Sequence, residues 1–223
     1  MLLVYTFVFG MVMKVKWGVA GQDNIDFGII LFAGLILHSF LAEVVIGAVG
    51  MIVANQQFVK KVVFPLEILN LVSVANAFFH MLLGFLILIA VYLVSGGTIH
   101  WTLILAPLVL LPFVLFLMGV SWFIAVLGVY VRDLSQVMGV VVTILLFLGP
   151  IVYPFSSVPD AIKTYVLWLN PLTIIVEQFR AVVLFGELPN WYLLSIYSVF
   201  AVLMLILGSW FFEKTRNGFA DVI

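Results

Sequence analysis

Long apolar runs separated by short polar stretches make up almost the whole chain. The runs cover about Leu2 to Met13, Phe27 to Ala54, Leu69 to Val94, Trp101 to Val129, Leu134 to Tyr153 and Trp191 to Phe212. A bilayer core takes about 20 residues of α-helix at 1.5 Å per residue, so every run but the first has the length of a membrane span. The first is short, which predicts either that Lys14 and Lys16 snorkel to the interface or that residues before Met1 are missing. The runs predict an all-α integral membrane protein of about six transmembrane helices, forming one domain over 1–223.

The interruptions sharpen this reading. Pro107 and Pro112 are expected to kink the fourth span or sit near its start, and Pro150 and Pro154 to give the fifth an irregular far end. Between spans five and six, Asn170-Pro171 divides an apolar-rich stretch that is neither a full span nor a water-soluble loop. Two half-length helices dipping into the membrane, a re-entrant pair, explain that stretch, and Asn170, Pro171, Glu177 and Arg180 are its marked residues. A short charged tail, Glu213 to Ile223, is expected after the last span. Trp191-Tyr192 and Trp210 suit the two membrane interfaces.

Composition names the solvent. Of 223 residues, 66% are hydrophobic and 9% charged, more apolar surface than one water-soluble core could hide. A net charge of -1 leaves no basic patch for nucleic acid. Without cysteine there is no disulfide, thiolate metal site or cysteine nucleophile, and the redox compartment is not legible. Six spans put Lys60, Lys61, Arg132, Lys214 and Arg216 on one face, five of the nine basic residues, which the positive-inside rule makes cytoplasmic.

Little chemistry is encoded. No phosphate-binding Gly-Lys loop, His-Glu-x-x-His pair or Gly-x-Ser-x-Gly elbow occurs, so no catalytic residue or metal ligand is assigned. Glu43 stands out, because a carboxylate inside an apolar span needs a partner or contact with water. A hairpin of spans two and three turning near Lys60 puts Glu43 level with Asn76 and His80, which predicts a polar contact that either joins the helices or serves gating and passage. Among the aromatics, Tyr5, Phe147, Tyr153 and Phe155 are the candidates to line a pathway on which sugar rings could stack.

The segments VYVRDLSQVMGVVVTILLFLGPIVYP and SSVPDAIKTYVLWLNPLTIIVEQFRAVVLFGELPNW, with NQQFVKKVVFPLEILNL upstream, resemble the permeases of type-2 ABC exporters for O-antigen, teichoic acid and capsule. The resemblance covers essentially the whole chain. It implies a cytoplasmic turn at Arg132-Asp133, a proline-ended fifth helix and outward-facing re-entrant helices. It further implies that Phe58, Val59, Lys60, Lys61, Phe64 and Pro65 couple to an ATPase, although Lys60 and Lys61 equally suit anionic headgroups. A homodimer with two ABC ATPase subunits follows from the family, with ATP and Mg bound by those subunits and no cofactor in this chain. Family members usually begin with a cytoplasmic amphipathic helix, whereas this sequence starts within the first span.

Export of a lipid-linked polysaccharide across the cytoplasmic membrane of a bacterium is the function this reading implies, with the chain itself not an enzyme. A type-2 exporter of drugs or lipids, a passive channel and a membrane enzyme are the alternatives. A channel would transport without an ATPase, and an enzyme would turn substrate over in isolation.

Overall fold

A computed structural model describes residues 27–57, 65–131 and 133–219 of the chain. The first predicted span, the 58–64 stretch and Arg132 lie outside the described residues. Those described form helices and connecting turns. Helix α1 is Phe27–Ala54 and α2 is Glu67–Val94; a 3-10 turn, Trp101–Leu105, leads into α3, Ala106–Tyr130. Next come α4, Leu134–Leu148, then the short helices α5, Asp160–Leu169, and α6, Pro171–Arg180, which continues into a π-helical turn, Ala181–Phe185. Helix α7 is Trp191–Thr215.

Three of these helices, and α3 with its leading turn, are long and apolar enough to cross a membrane, which makes four among the described residues, or five if the bent α5–α6 pair is one span. Helix α1 is the most enclosed: 67% of its apolar window is buried, against 22% for α2 and α7. Leu203 and Ile206 of α7 are accordingly more than half exposed. Such surface would be a liability in water and is ordinary against lipid tails.

Two boundaries differ from expectation. The fifth predicted span is helical only from Leu134 to Leu148 rather than to Tyr153. Its 15 residues, about 22 Å, fall short of a bilayer core. Pro150 explains the stop, since it lacks the N–H that would continue the ladder and its ring collides with the preceding turn. The presumed tail is also structured: α7 runs on to Thr215, a 3-10 turn covers Arg216–Gly218, and Phe219 is fully buried. In the fourth span, Pro107 sits in the first turn of α3, where no N–H is required, and Pro112 lies inside the helix.

The described chain divides into two compact units that share the long helices. One comprises residues 27–39, 81–110 and 144–194; the other comprises 40–57, 65–80, 111–131, 133–143 and 195–219. In the second unit Phe40 meets Phe78 and Phe113 edge to face, at centroid separations of 6.0 and 5.7 Å. Helices α3 and α7 cross backbone to backbone there: a Cβ on Gly119 would strike the Met204 carbonyl, and one on Gly208 the Gly119 carbonyl. Small residues permit such approaches, and in lipid the resulting dispersion contacts replace the missing hydrophobic drive. Asn70 and Ser121, both fully buried, hydrogen-bond to each other across α2 and α3. At one end of this unit Ile52, Leu66, Ala125, Val129, Phe212 and Phe219 close a cluster, and Glu67 pairs with Arg216 beside it.

Candidate functional site

The first unit is organised around a bend of 95° between α5 and α6. Asn170 makes the corner. Its extended backbone precedes Pro171 at the first position of α6, and its Oδ1 accepts the Leu172 N–H at 2.9 Å, a side-chain N-cap. The same side chain donates from Nδ2 to the Leu145 carbonyl of α4 at 2.9 Å. Thr173 Oγ1 donates to the Val166 carbonyl at 2.9 Å, binding α6 back to α5. Beyond Arg180, the carbonyls of Val182 and Leu184 in the π turn accept from Thr102 (2.7 Å) and Tyr92 (3.1 Å). A Gly186 in the left-handed region, at φ 67°, ends the turn.

Arg180 is 1% exposed. Its Nε donates to the Ile30 carbonyl of α1 at 3.0 Å, Nη1 to the Pro150 carbonyl at 2.6 Å and Nη2 to the Ile151 carbonyl at 2.9 Å. Glu177 Oε1 lies 3.5 Å from Nη1, so the carboxylate is the weaker partner. The Pro150 and Ile151 carbonyls follow the C-terminus of α4, where the unpaired acceptors of a helix carry partial negative charge. Burying a guanidinium costs several kcal/mol, and this set of acceptors offsets it. Gly34 makes room: a Cβ there would stand 2.6 Å from Nη2. One side chain thereby fixes the start of α1, the broken end of α4 and the end of α6.

A second polar feature lies in the other unit. His80 Nδ1 and Glu43 Oε1 are 2.8 Å apart, near the middle of two 28-residue apolar helices. The expected contact therefore forms through His80; Asn76, one turn away on α2, is exposed and does not reach Glu43. Both paired side chains are open, at 53% for His80 and 41% for Glu43. An acid at the centre of a lipid-facing helix costs about 2.5–3.5 kcal/mol on insertion scales, so this face has reason to meet something other than acyl chains.

The remaining predicted residues scatter. Phe58, Val59, Lys60, Lys61, Phe64, Arg132 and Tyr5 lie outside the described residues; Pro65 is exposed just before α2 and Asp133 just before α4. Phe147 is 52% exposed on α4, whereas Tyr153 donates its hydroxyl to the Leu148 carbonyl at 2.9 Å. Phe155 lies under the Lys163 ammonium, 5.5 Å from the ring centroid. Sequence reasoning missed the Arg180 clamp and the Asn70–Ser121 pair. A lone arginine in an apolar half-helix and a lone asparagine in an apolar span were the available signals.

The ABC-2 type transporter family profile matches residues 1–184. The O-antigen export system permease protein RfbA of Myxococcus xanthus is 26% identical over 223 residues, covering 100% of this chain and 83% of that protein. Its namesake in Klebsiella pneumoniae is 25% identical, over 99% of this chain and 82% of its own length. The polysialic acid transport protein KpsM of Escherichia coli is 24% identical over 209 residues, 93% of this chain and 78% of its own. With that match reaching from the N-terminal residue through the bent helix pair, the chain belongs to the ABC-2 type transporter family and is a multi-pass protein of the bacterial inner membrane.

Proposed function

We propose that the chain is the membrane-spanning permease of an ABC exporter that carries a lipid-linked polysaccharide, O-antigen first and capsule or teichoic acid next, across the cytoplasmic membrane. The observation that carries this reading is alignment over 93–100% of the chain with permeases named for O-antigen export and polysialic acid transport. In this reading the whole of 1–223 is one permease domain. Its six spans are the segment near Leu2 to Met13, α1, α2, α3 with its leading turn, α4 prolonged by the non-helical residues 149–153, and α7.

The α5–α6 pair is then re-entrant on the outer side. In support, Ile162, Tyr165, Trp168 and Leu169 of α5 are all about half exposed or more, as suits a helix at an interface, whereas α6 is buried over most of its length. Two copies of the chain enclose the pathway, and two separate ATPase subunits hold ATP and Mg. Residues 58–65 dock on the ATPase, and the Arg132-Asp133 turn shares that cytoplasmic face. Tyr5, Phe147, Tyr153 and Phe155 border the glycan's route, the exposure of Phe147 supporting its place there.

The test is complementation. The tagged chain and its candidate ATPase are expressed in a glycan-producing strain lacking its own permease, surface glycan is measured, and the complex is purified for subunit counting. Restored surface glycan and a two-to-two complex are expected. Export of a drug or lipid without glycan would favour the other exporter reading, and transport without any ATPase would favour a channel.

A further inference from the structure

We propose that Glu43, Asn76 and His80, with the ring of Phe79, form a sugar-contact site at mid-membrane, where hydroxyl groups of the transported glycan hydrogen-bond and one ring face stacks. The proposal rests on the export reading above. All four residues belong to one compact unit of the fold. Glu43 lies near the centre of α1, and the other three lie near the centre of α2.

The pair is held together and still open. The 2.8 Å contact between His80 and Glu43 uses one ring nitrogen and one carboxylate oxygen. The second carboxylate oxygen, the other ring nitrogen and the exposed amide of Asn76 remain as hydrogen-bonding groups on one face. A carboxylate, an imidazole and an amide together donate and accept, which is what a sugar presenting several hydroxyls requires. Phe79 is 56% exposed, and its ring lies 6.3 Å from that of His80, an apolar platform beside the polar groups.

Space is provided as well. Gly47, one turn beyond Glu43, and Ala75, beside Asn76, are exposed residues with little or no side chain. Ser73 Oγ stands 3.6 Å from where a Gly47 Cβ would be, so the two helices adjoin there. Lipid offers nothing to these groups, because acyl chains neither donate nor accept hydrogen bonds. A helix–helix contact alone would explain a buried pair, not one whose side chains are 53% and 41% exposed.

The absence of cysteine from the chain allows a clean test. Ile46→Cys places a thiol on an exposed position of α1 one turn from Glu43, and Ile206→Cys provides a lipid-facing control on α7. Both variants are made in the full chain, assembled with its ATPase in cells, and treated with a membrane-impermeant, water-soluble maleimide. Labelling of Ile46→Cys but not Ile206→Cys is expected, and several-fold slower labelling when the cell makes glycan than when glycan synthesis is blocked. Glu43→Gln and His80→Gln are expected to lower surface glycan roughly ten-fold at unchanged complex level, the loss of about one hydrogen bond to a charged group. Failure of Ile46→Cys to react, labelling indifferent to glycan, or a disulfide between two copies at that position would each overturn the proposal. Wild-type export measured alongside separates these results from failure of the export reading itself, in which no glycan reaches the surface at all.

Discussion

The guanidinium of Arg180 donates to three backbone carbonyls, from Ile30, Pro150 and Ile151, rather than depending on Glu177. Removing it strands acceptors in an apolar interior, at about 1–3 kcal/mol for each group left unpaired. Arg180→Met is therefore expected to lower the melting temperature of the purified complex in mild detergent by several degrees, at about 2–4 °C per kcal/mol. Arg180→Lys should recover only part of that, because an ammonium cannot reproduce the planar fork. Gly34→Ala should also destabilise, by about 1–3 kcal/mol, since the new methyl occupies the space of Nη2. Glu67→Gln is the contrast: its pairing with Arg216 is exposed on the arginine side and half-buried on the carboxylate side, so a change of about 1 kcal/mol or less is expected and little shift in melting. A large drop for Glu67→Gln, or none for Arg180→Met, would reverse this ranking.

At the scale of elements, the same chemical change has opposite results depending on what faces it. Gly119→Ala drives a methyl into the backbone of α7 and should lower folded yield, as read by size-exclusion chromatography in detergent. Gly139→Ala on α4 meets open space and should be neutral or gain about 0.5–1 kcal/mol from helix propensity. Asn170→Ala removes the cap of α6 and the bond to α4 together, so a loss exceeding the ~1 kcal/mol of a typical cap is expected by thermal melting. Both ends of α1 and the break at Asn170-Pro171 were legible from run length and proline alone. The end of α4 was legible only as irregular, because a proline stops a helix while the apolar residues after it continue the pattern.

Over the whole molecule, the medium decides what a surface substitution does. Leu203→Ala and Ile206→Ala, on the exposed face of α7, should leave the melting temperature in detergent nearly unchanged, since the removed methyl groups exchange protein-free surroundings for more of the same. Loss of folding in either variant would mean that another protein surface covers that face. For the candidate sites the limit of legibility was different. Glu43 and His80 could be matched in depth by counting residues back from one loop, which turns a hairpin into a ruler. Nothing in the spacing distinguished Asn76 from His80 as the partner, because both share the helical face and only side-chain reach separates them.

What the sequence determined by itself was the solvent, the all-helical class with the limits of several long helices, and the family. These follow from apolar run length, proline placement and motif order, all local along the chain. Only the tertiary structure decided that Arg180 is satisfied by carbonyls of α1 and of the residues just after α4, that Asn70 finds Ser121, and that Phe219 folds back into a core. Each joins residues tens of positions or more apart, from 30 to 150 for the hydrogen bonds. Hydrogen-bond partners are selected by distance in space, and an apolar sequence with few polar residues leaves many pairings equally compatible until the helices pack.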